Sequence, residues 1–372
     1  MKKIVVLSSV SARPNFVKLA SVHHALAQRS GEFKHVIVHT GQHYDPLLSG
    51  VFFKQLGIPE PDFNLGVKGG NDREAVIQAT ATAMMPVMEK VEPDVVLVYG
   101  DVNGAVGAAR AAKELGIKIG HVEAGLRSGD LEMPEENNRI EIDQLADLLF
   151  VTEKSGECHL YEEKVKGKIF FVGNTMIDTL MRMMPIVEKM PLPFTAMQQP
   201  FAIATIHRPS NVDDPDQLEK VMGCLNKIPK QNISLVLPAH PRLRQSIGAY
   251  SRSKGLVLVG FGIFMIDPLG YLEFVRMMKD AAFIVTDSGG IQEEAVFLGK
   301  RCFTLRRNTE RPSTVDSGSN VLIDPEKASD RKLVLEFAEH PVKIVVSIPP
   351  KWDGKTGERI AEALQLYSGG AR

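Results

Sequence analysis

Cysteine is scarce in this 372-residue chain, tryptophan occurs once, and the charges nearly cancel. Cys158, Cys224 and Cys302 lie too far apart for a metal-ligand motif, and three thiols do not make a disulfide framework. They read as buried thiols of a reducing compartment, which makes the cytoplasm the expected location. A formal net charge of −1 leaves no electrostatic footprint for nucleic acid or an acidic membrane surface. No apolar run approaches the length of a membrane span, and Arg13 and Pro14 leave no signal-peptide core after the opening strand-like segment. Cofactor motifs are missing too. Gly260-Phe261-Gly262 begins a dinucleotide fingerprint, but Met265 stands in place of its third glycine. Gly354-Lys355-Thr356 ends like a P-loop, with Pro349 where the first glycine is required. There is no His-Glu-x-x-His and no Cys-x-x-Cys, so no nicotinamide, metal or other cofactor is expected.

What the chain does have is a repeated alternation of short apolar strands and amphipathic helices. Its length exceeds one ordinary core and implies two domains. Strand-like runs fall at 4–10, 35–39, 95–99, 118–122 and 148–151, with helices between them. A second series falls at 201–206, 234–237, 256–259 and 282–286. The expected architecture is α/β, with two parallel sheets covered by helices and a boundary near residue 173. Residues 352–366 read as a capped amphipathic helix.

Ligands of such sheets bind outside the C-terminal ends of the strands. There the sequence repeatedly places polar residues: Arg13, Gln42 with His43, Asp101, Glu123, His207 with Arg208, His240, and Asp287 with Ser288. Asp287-Ser288-Gly289-Gly290 leads from a strand into a helix expected over 291–298. Ser288 is placed to cap that helix, and the glycines let its free N–H groups approach a phosphate. Glu293 and Glu294 read as first-turn acids suited to the dipole, or as partners for a hydroxylated ligand. Glu135 and Arg139 have the spacing of a helix salt bridge. Carboxylates come from the first half (Asp101, Glu123, Glu135) and cations from the second (His207, Arg208, His240, Arg311). An enzyme acting on a phosphate-linked sugar needs both.

Taken in order, these motifs resemble the non-hydrolysing UDP-N-acetylglucosamine 2-epimerase family over nearly the whole chain. The matching residues are Ala12-Arg13-Pro14 with Lys18, Gly41-Gln42-His43, Gly100-Asp101, His121 to Arg127, Pro134 to Arg139, Gly173-Asn174-Thr175, His207-Arg208, Thr286 to Glu294 and Thr309 to Pro312. The resemblance implies a GT-B fold with the active site between two Rossmann-like domains. These would be residues 1–172, joined by a returning helix at about 355–368, and a UDP-binding domain at 173–350. It also implies a homodimer serving polysaccharide biosynthesis, with UDP-N-acetylglucosamine and UDP as ligands. The implied reaction eliminates UDP to 2-acetamidoglucal and adds it back. Asp101, Glu123 and Glu135 become acid/base candidates, and His207 assists the diphosphate. Ser288, Gly289 and Gly290 would hold phosphates, with Arg13 and Arg311 near UDP and Glu294 accepting the ribose hydroxyls. Lys18, Arg139 and His240 complete the site, while Gln42 and His43 match an allosteric site of some members.

Two departures stand out. Ser11 replaces a common glycine and would be strained at positive φ. Arg307 adds positive charge where an acid is usual. Rival readings are another GT-B enzyme (a hydrolysing epimerase or a glycosyltransferase) and a UDP-sugar-binding regulator.

Overall fold

β-Branched and leucine-rich runs form strands buried on both faces, the pattern of a parallel sheet between helical layers. The computed structural model describes residues 2–41, 52–70, 72–195, 200–255 and 257–368. It divides the chain into two units, Met1–Met183 with Pro350–Arg372, and Met184–Pro349.

The first unit contains β1 (Ile4–Val10), β2 (Phe33–His39), β3 (Phe63–Asn64), β4 (Val95–Tyr99), β5 (Lys118–Ala124), β6 (Leu148–Val151) and β7 (Lys168–Phe171). These form a seven-stranded sheet in the order β3-β2-β1-β4-β5-β6-β7. The second unit contains β8 (Phe201–Thr205), β9 (Ser234–Pro238), β10 (Ile263–Ile266), β11 (Ile284–Thr286), β12 (Cys302–Thr304) and β13 (Asn320–Leu322). Their order is β10-β9-β8-β11-β12-β13. All described pairings are parallel. Strand order reverses direction between β1 and β4, and again between β8 and β11. Such a switch point opens a crevice at the C-terminal strand ends. The first unit presents Ser11–Asn15 and Gly100–Asp101 there; the second presents His207 and Asp287–Gly290.

Residues 173–183, assigned by sequence to the second half, belong to the first unit. Asp178 explains the attachment: its Oδ2 accepts from Ser21 Oγ at 2.8 Å and from Gly357 N at 2.9 Å. The helix Thr356–Ser368 thereby joins the helix Arg13–Gln28, and a Cβ at Gly357 would lie only 2.4 Å from the Ser21 carbonyl oxygen.

The strand expected at 256–259 is not formed by its described residues; β10 starts at Ile263. The side chain of Asn226 takes up the local backbone instead. Its Nδ2 donates to Leu258 O at 2.9 Å, and its Oδ1 accepts from Gly260 N at 2.8 Å. Cys224 and Cys302 are buried, but Cys158 is exposed, contrary to the expectation for all three. Among the described residues, no helix is long and apolar enough to cross a membrane.

Candidate active site

In the first unit the site is built around Glu123. Val122 and Ala124 pair with consecutive residues of β6, Phe150 and Val151, so Glu123 is an extra, bulged residue. Its φ is +76°. A non-glycine residue in this left-handed region stores roughly 1–3 kcal/mol of strain. The strained backbone delivers a carboxylate only 3% exposed to Lys18, whose buried Nζ donates to Glu123 Oε1 at 2.7 Å. Gly100, with φ +65°, closes this pocket, because a Cβ there would lie 2.7 Å from Lys18 Nζ.

Asp101 follows. Its Oδ2 accepts from Arg139 Nη2 at 2.5 Å, and Asn138 Nδ2 donates to its carbonyl at 2.7 Å. Arg139 is buried and reaches Glu136 Oε2 at 2.5 Å through Nη1. Glu136 also accepts from Ser128 N, Ser128 Oγ and Gly129 N. The ion pair along the helix Pro134–Leu145 is therefore i,i+3 with Glu136, not i,i+4 with Glu135. Glu135 is exposed at the start of that helix. The Arg13 guanidinium lies 5.3 Å from the centre of the Phe52 ring. Ser11 is absent from the residues with positive φ, so its serine carries no left-handed strain. Its buried Oγ accepts from Thr40 Oγ1 at 2.7 Å. Gln42 and His43 lie outside the described residues.

In the second unit Asp287 is fully buried and ties two strand ends together. It accepts from His207 N at 3.0 Å, Arg208 N at 2.8 Å and Asn211 Nδ2 at 3.1 Å, and its Oδ1 lies 2.9 Å from His207 Nδ1. Burial opposes its charge, but His207 and the other donors hold the carboxyl below its usual range. The pairing commits His207 Nδ1, and the side chain remains 43% exposed. His240 caps the helix Pro241–Lys254 by accepting from Arg242 N through Nδ1, and its ring centre lies 6.1 Å from that of His207.

The helix expected over 291–298 begins two residues earlier, at Gly289, and runs to Phe297. Ser288 occupies the N-cap position, but its side chain makes no capping bond. Glu293 and Glu294 consequently lie beyond the first turn. Glu293 pairs with Arg311 Nε at 3.0 Å, and Arg311 also binds Glu310, which pairs with Arg306 at 2.7 Å. A Cβ at Gly289 would meet Arg311 Nη1 at 2.5 Å and Glu310 Oε1 at 2.6 Å, so the missing side chain makes room for the guanidinium. The extra charge of exposed Arg307 is taken up by buried Asp324 at 3.2 Å and exposed Glu326 at 2.5 Å.

Glu294 is buried, beside Glu293 and Tyr271. Burial foremost, with repulsion from Glu293, pushes its carboxyl up to about 8 against the hydrogen bond from Tyr271. The folded protein keeps this proton over a pH range in which the unfolded chain has lost it. Stability should therefore fall as pH rises from about 4.5 towards about 8. Glu294→Gln should flatten that slope in chemical denaturation across this range; an unchanged slope would assign it to other groups.

Glu136 and Glu310 were not singled out by sequence reasoning, and for Asp287 and Glu293 it did not name the partners. The i,i+3 spacing of Glu136 and Arg139 was the available signal for the first. The other three depend on contacts between separate strand ends and loops. Among the described residues, no group of three or more His, Cys, Asp and Glu side chains is arranged to hold a metal.

The fold is that of a two-domain α/β protein, with a glycine-rich helix start at Gly289 in one unit and buried, cation-paired carboxylates in the other. Residues 24–365 match the family model described as UDP-N-acetylglucosamine 2-epimerase, and the chain belongs to that family. A Pseudomonas aeruginosa relative, UDP-2,3-diacetamido-2,3-dideoxy-D-glucuronate 2-epimerase, is 37% identical over 98% of this chain and 96% of its own. The UDP-N-acetylglucosamine 2-epimerase of Methanocaldococcus jannaschii is 35% identical, over 98% of this chain and 99% of its own. A crystal structure of UDP-GlcNAc 2-epimerase from that organism, in complex with UDP-GlcNAc and UDP, is similar with a TM-score of 0.88 at 33% identity, covering 98% of this chain and 100% of that one. The Neisseria meningitidis enzyme bound to UDP-GlcNAc gives a TM-score of 0.86 at 27% identity, with coverage of 98% and 100%. The expected α/β fold of GT-B class, with two Rossmann-like sheets, is the fold observed.

Proposed function

We propose that this chain interconverts UDP-N-acetylglucosamine and UDP-N-acetylmannosamine without releasing free sugar. The C2 hydrogen is not adjacent to a carbonyl, so direct removal is difficult. Loss of that proton together with the C1–O bond to UDP gives 2-acetamidoglucal with a C1–C2 double bond. Return of a proton to the other face of C2, as a UDP oxygen re-forms the C1 bond, gives the epimer. The observation that carries this reading is Glu123: a buried carboxylate on strained backbone, paired with Lys18.

Asp101, Glu123 and Glu135 are the acid/base groups of the proposal. Ser288, Gly289 and Gly290 hold the diphosphate at the helix start, and Arg311 and Arg13 balance its charge. His207 faces the departing phosphate with Nε2, since Nδ1 is committed to Asp287. Lys18, Arg139 and His240 support these groups. Glu294 accepts the ribose hydroxyls, which favours its charged form. UDP binding should then release protons at pH 7 and tighten as pH rises towards about 8. Calorimetry in buffers of different ionisation enthalpy measures the release; none would remove Glu294 from the ribose site. A homodimer in the cytoplasm, serving polysaccharide biosynthesis, completes the proposal, and sedimentation tests the assembly.

The 37% identity to the Pseudomonas enzyme favours a second reading, in which the sugar is a 2,3-diacetamido uronate. Both UDP-sugars should be incubated in D₂O and followed by proton NMR. The leading reading expects UDP-N-acetylmannosamine carrying deuterium at C2. Free sugar would make the chain a hydrolase, turnover of the uronate alone would favour the second reading, and exchange in neither would leave a binding regulator.

A further inference from the structure

Asp143 is fully buried on the helix Pro134–Leu145, and no step of the proposed reaction uses it. Its Oδ1 meets His121 Nδ1 at 2.6 Å. Its Oδ2 meets Arg127 Nη2 at 2.8 Å and accepts from Gly125 N at 3.1 Å. His121, fully buried within β5, turns its other nitrogen to the Gly100 carbonyl at 2.9 Å. Both ring nitrogens are therefore engaged, one by the Asp143 carboxyl and one by the Gly100 carbonyl. Arg127 is also gripped by Glu163 at 2.7 Å.

The places these bonds reach are informative. His121 and Gly125 stand two residues before and two residues after bulged Glu123. Gly100 directly precedes Asp101 and borders Lys18. A non-glycine residue stays in left-handed backbone only where its surroundings over-determine it. Apolar packing could hold β5 in the sheet, but it lacks the directionality to fix both flanks of one bulged residue. Hydrogen-bonded charges in a low-dielectric interior have that directionality.

We infer that Asp143 is a positioning residue for the acid/base carboxylates. With His121 and Arg127 it forms a buried ionic brace that keeps Glu123 in its left-handed conformation and sets the Gly100–Asp101 turn beside it. This rests on the reading of Asp101 and Glu123 as acid/base groups.

Asp143→Asn is the test, because it keeps the shape and one acceptor but removes the charge that faces His121, Arg127 and the Gly125 N–H. Its crystal structure should show Glu123 leaving the left-handed region and the Lys18–Glu123 bond opening, with the β5–β6 register kept through Val122. Its kcat should fall about 100-fold, the scale of a small misplacement of reacting groups. KM and UDP affinity should stay near parental values. A merely structural residue would lower melting temperature and yield but leave the Glu123 conformation and the kcat of folded molecules unchanged, and that result would overturn the inference. Should Asp143→Asn fail to fold, His121→Gln breaks the brace at its other end with the same expected and opposing outcomes. A parent chain that turns over no UDP-sugar would refute the proposed function, while the crystallographic comparison would still decide the brace.

Discussion

Glu123→Gln is expected to lower turnover by about 10²–10⁴-fold, the usual range for removing a positioned acid or base. Glutamine keeps the shape of the side chain but cannot take a proton from C2 or return one. The substitution also leaves the Lys18 ammonium buried without its charged partner. Breaking a buried ion pair from one side typically costs about 3–5 kcal/mol of stability. Lost chemistry and lost folding must therefore be separated. The double variant Lys18→Met, Glu123→Gln removes both charges and should regain much of the stability while remaining inactive. Denaturant unfolding and progress curves on the same samples measure the two effects. Parental turnover in folded Glu123→Gln would remove Glu123 from the mechanism.

Gly289→Ala should weaken UDP binding by about 5–150-fold, which corresponds to the roughly 1–3 kcal/mol commonly lost on overpacking a tight site. The effect follows from one contact. The new methyl would press on Arg311 Nη1 and Glu310 Oε1, both well inside normal packing distance. Because Glu310 and Glu293 hold Arg311 from two sides, its guanidinium has little room to yield. The same methyl sits at the helix start where the diphosphate would approach. Gly299→Ala is a suitable contrast: a Cβ there meets no atom within 4 Å, but φ is +64°. Its cost should appear in stability and not in UDP affinity. Equal UDP affinity in Gly289→Ala and the parent would show that this helix start does not hold the phosphates.

Much of the candidate site was legible because the strands of each parallel sheet point their C-terminal ends the same way. Asp101 and Glu123 in the first unit, and His207 in the second, could be placed at strand ends by locating the end of an apolar run. Elsewhere local pattern misled. Residues 257–259 have strand-like composition, yet the Asn226 side chain supplies the hydrogen bonds that a neighbouring strand would have given. Ser288 was correctly located at a helix start, but its hydroxyl is not used as a cap. Asp143 was overlooked because an aspartate in an amphipathic helix ordinarily faces water; here His121, Arg127 and Gly125 surround it.

The sequence by itself determined the alternation of strands and helices, the two-domain α/β class and the order of the family motifs. Those follow from hydrophobic periodicity and from residue types at fixed spacing, both local properties of the chain. Only the tertiary structure decided that Glu123 is bulged and strained, that Arg139 serves Asp101 and Glu136 but not Glu135, and that burial pushes the Glu294 carboxyl up. Each of these depends on distances between groups remote in sequence, or on the water removed around a charge. Neither quantity exists until the chain has folded.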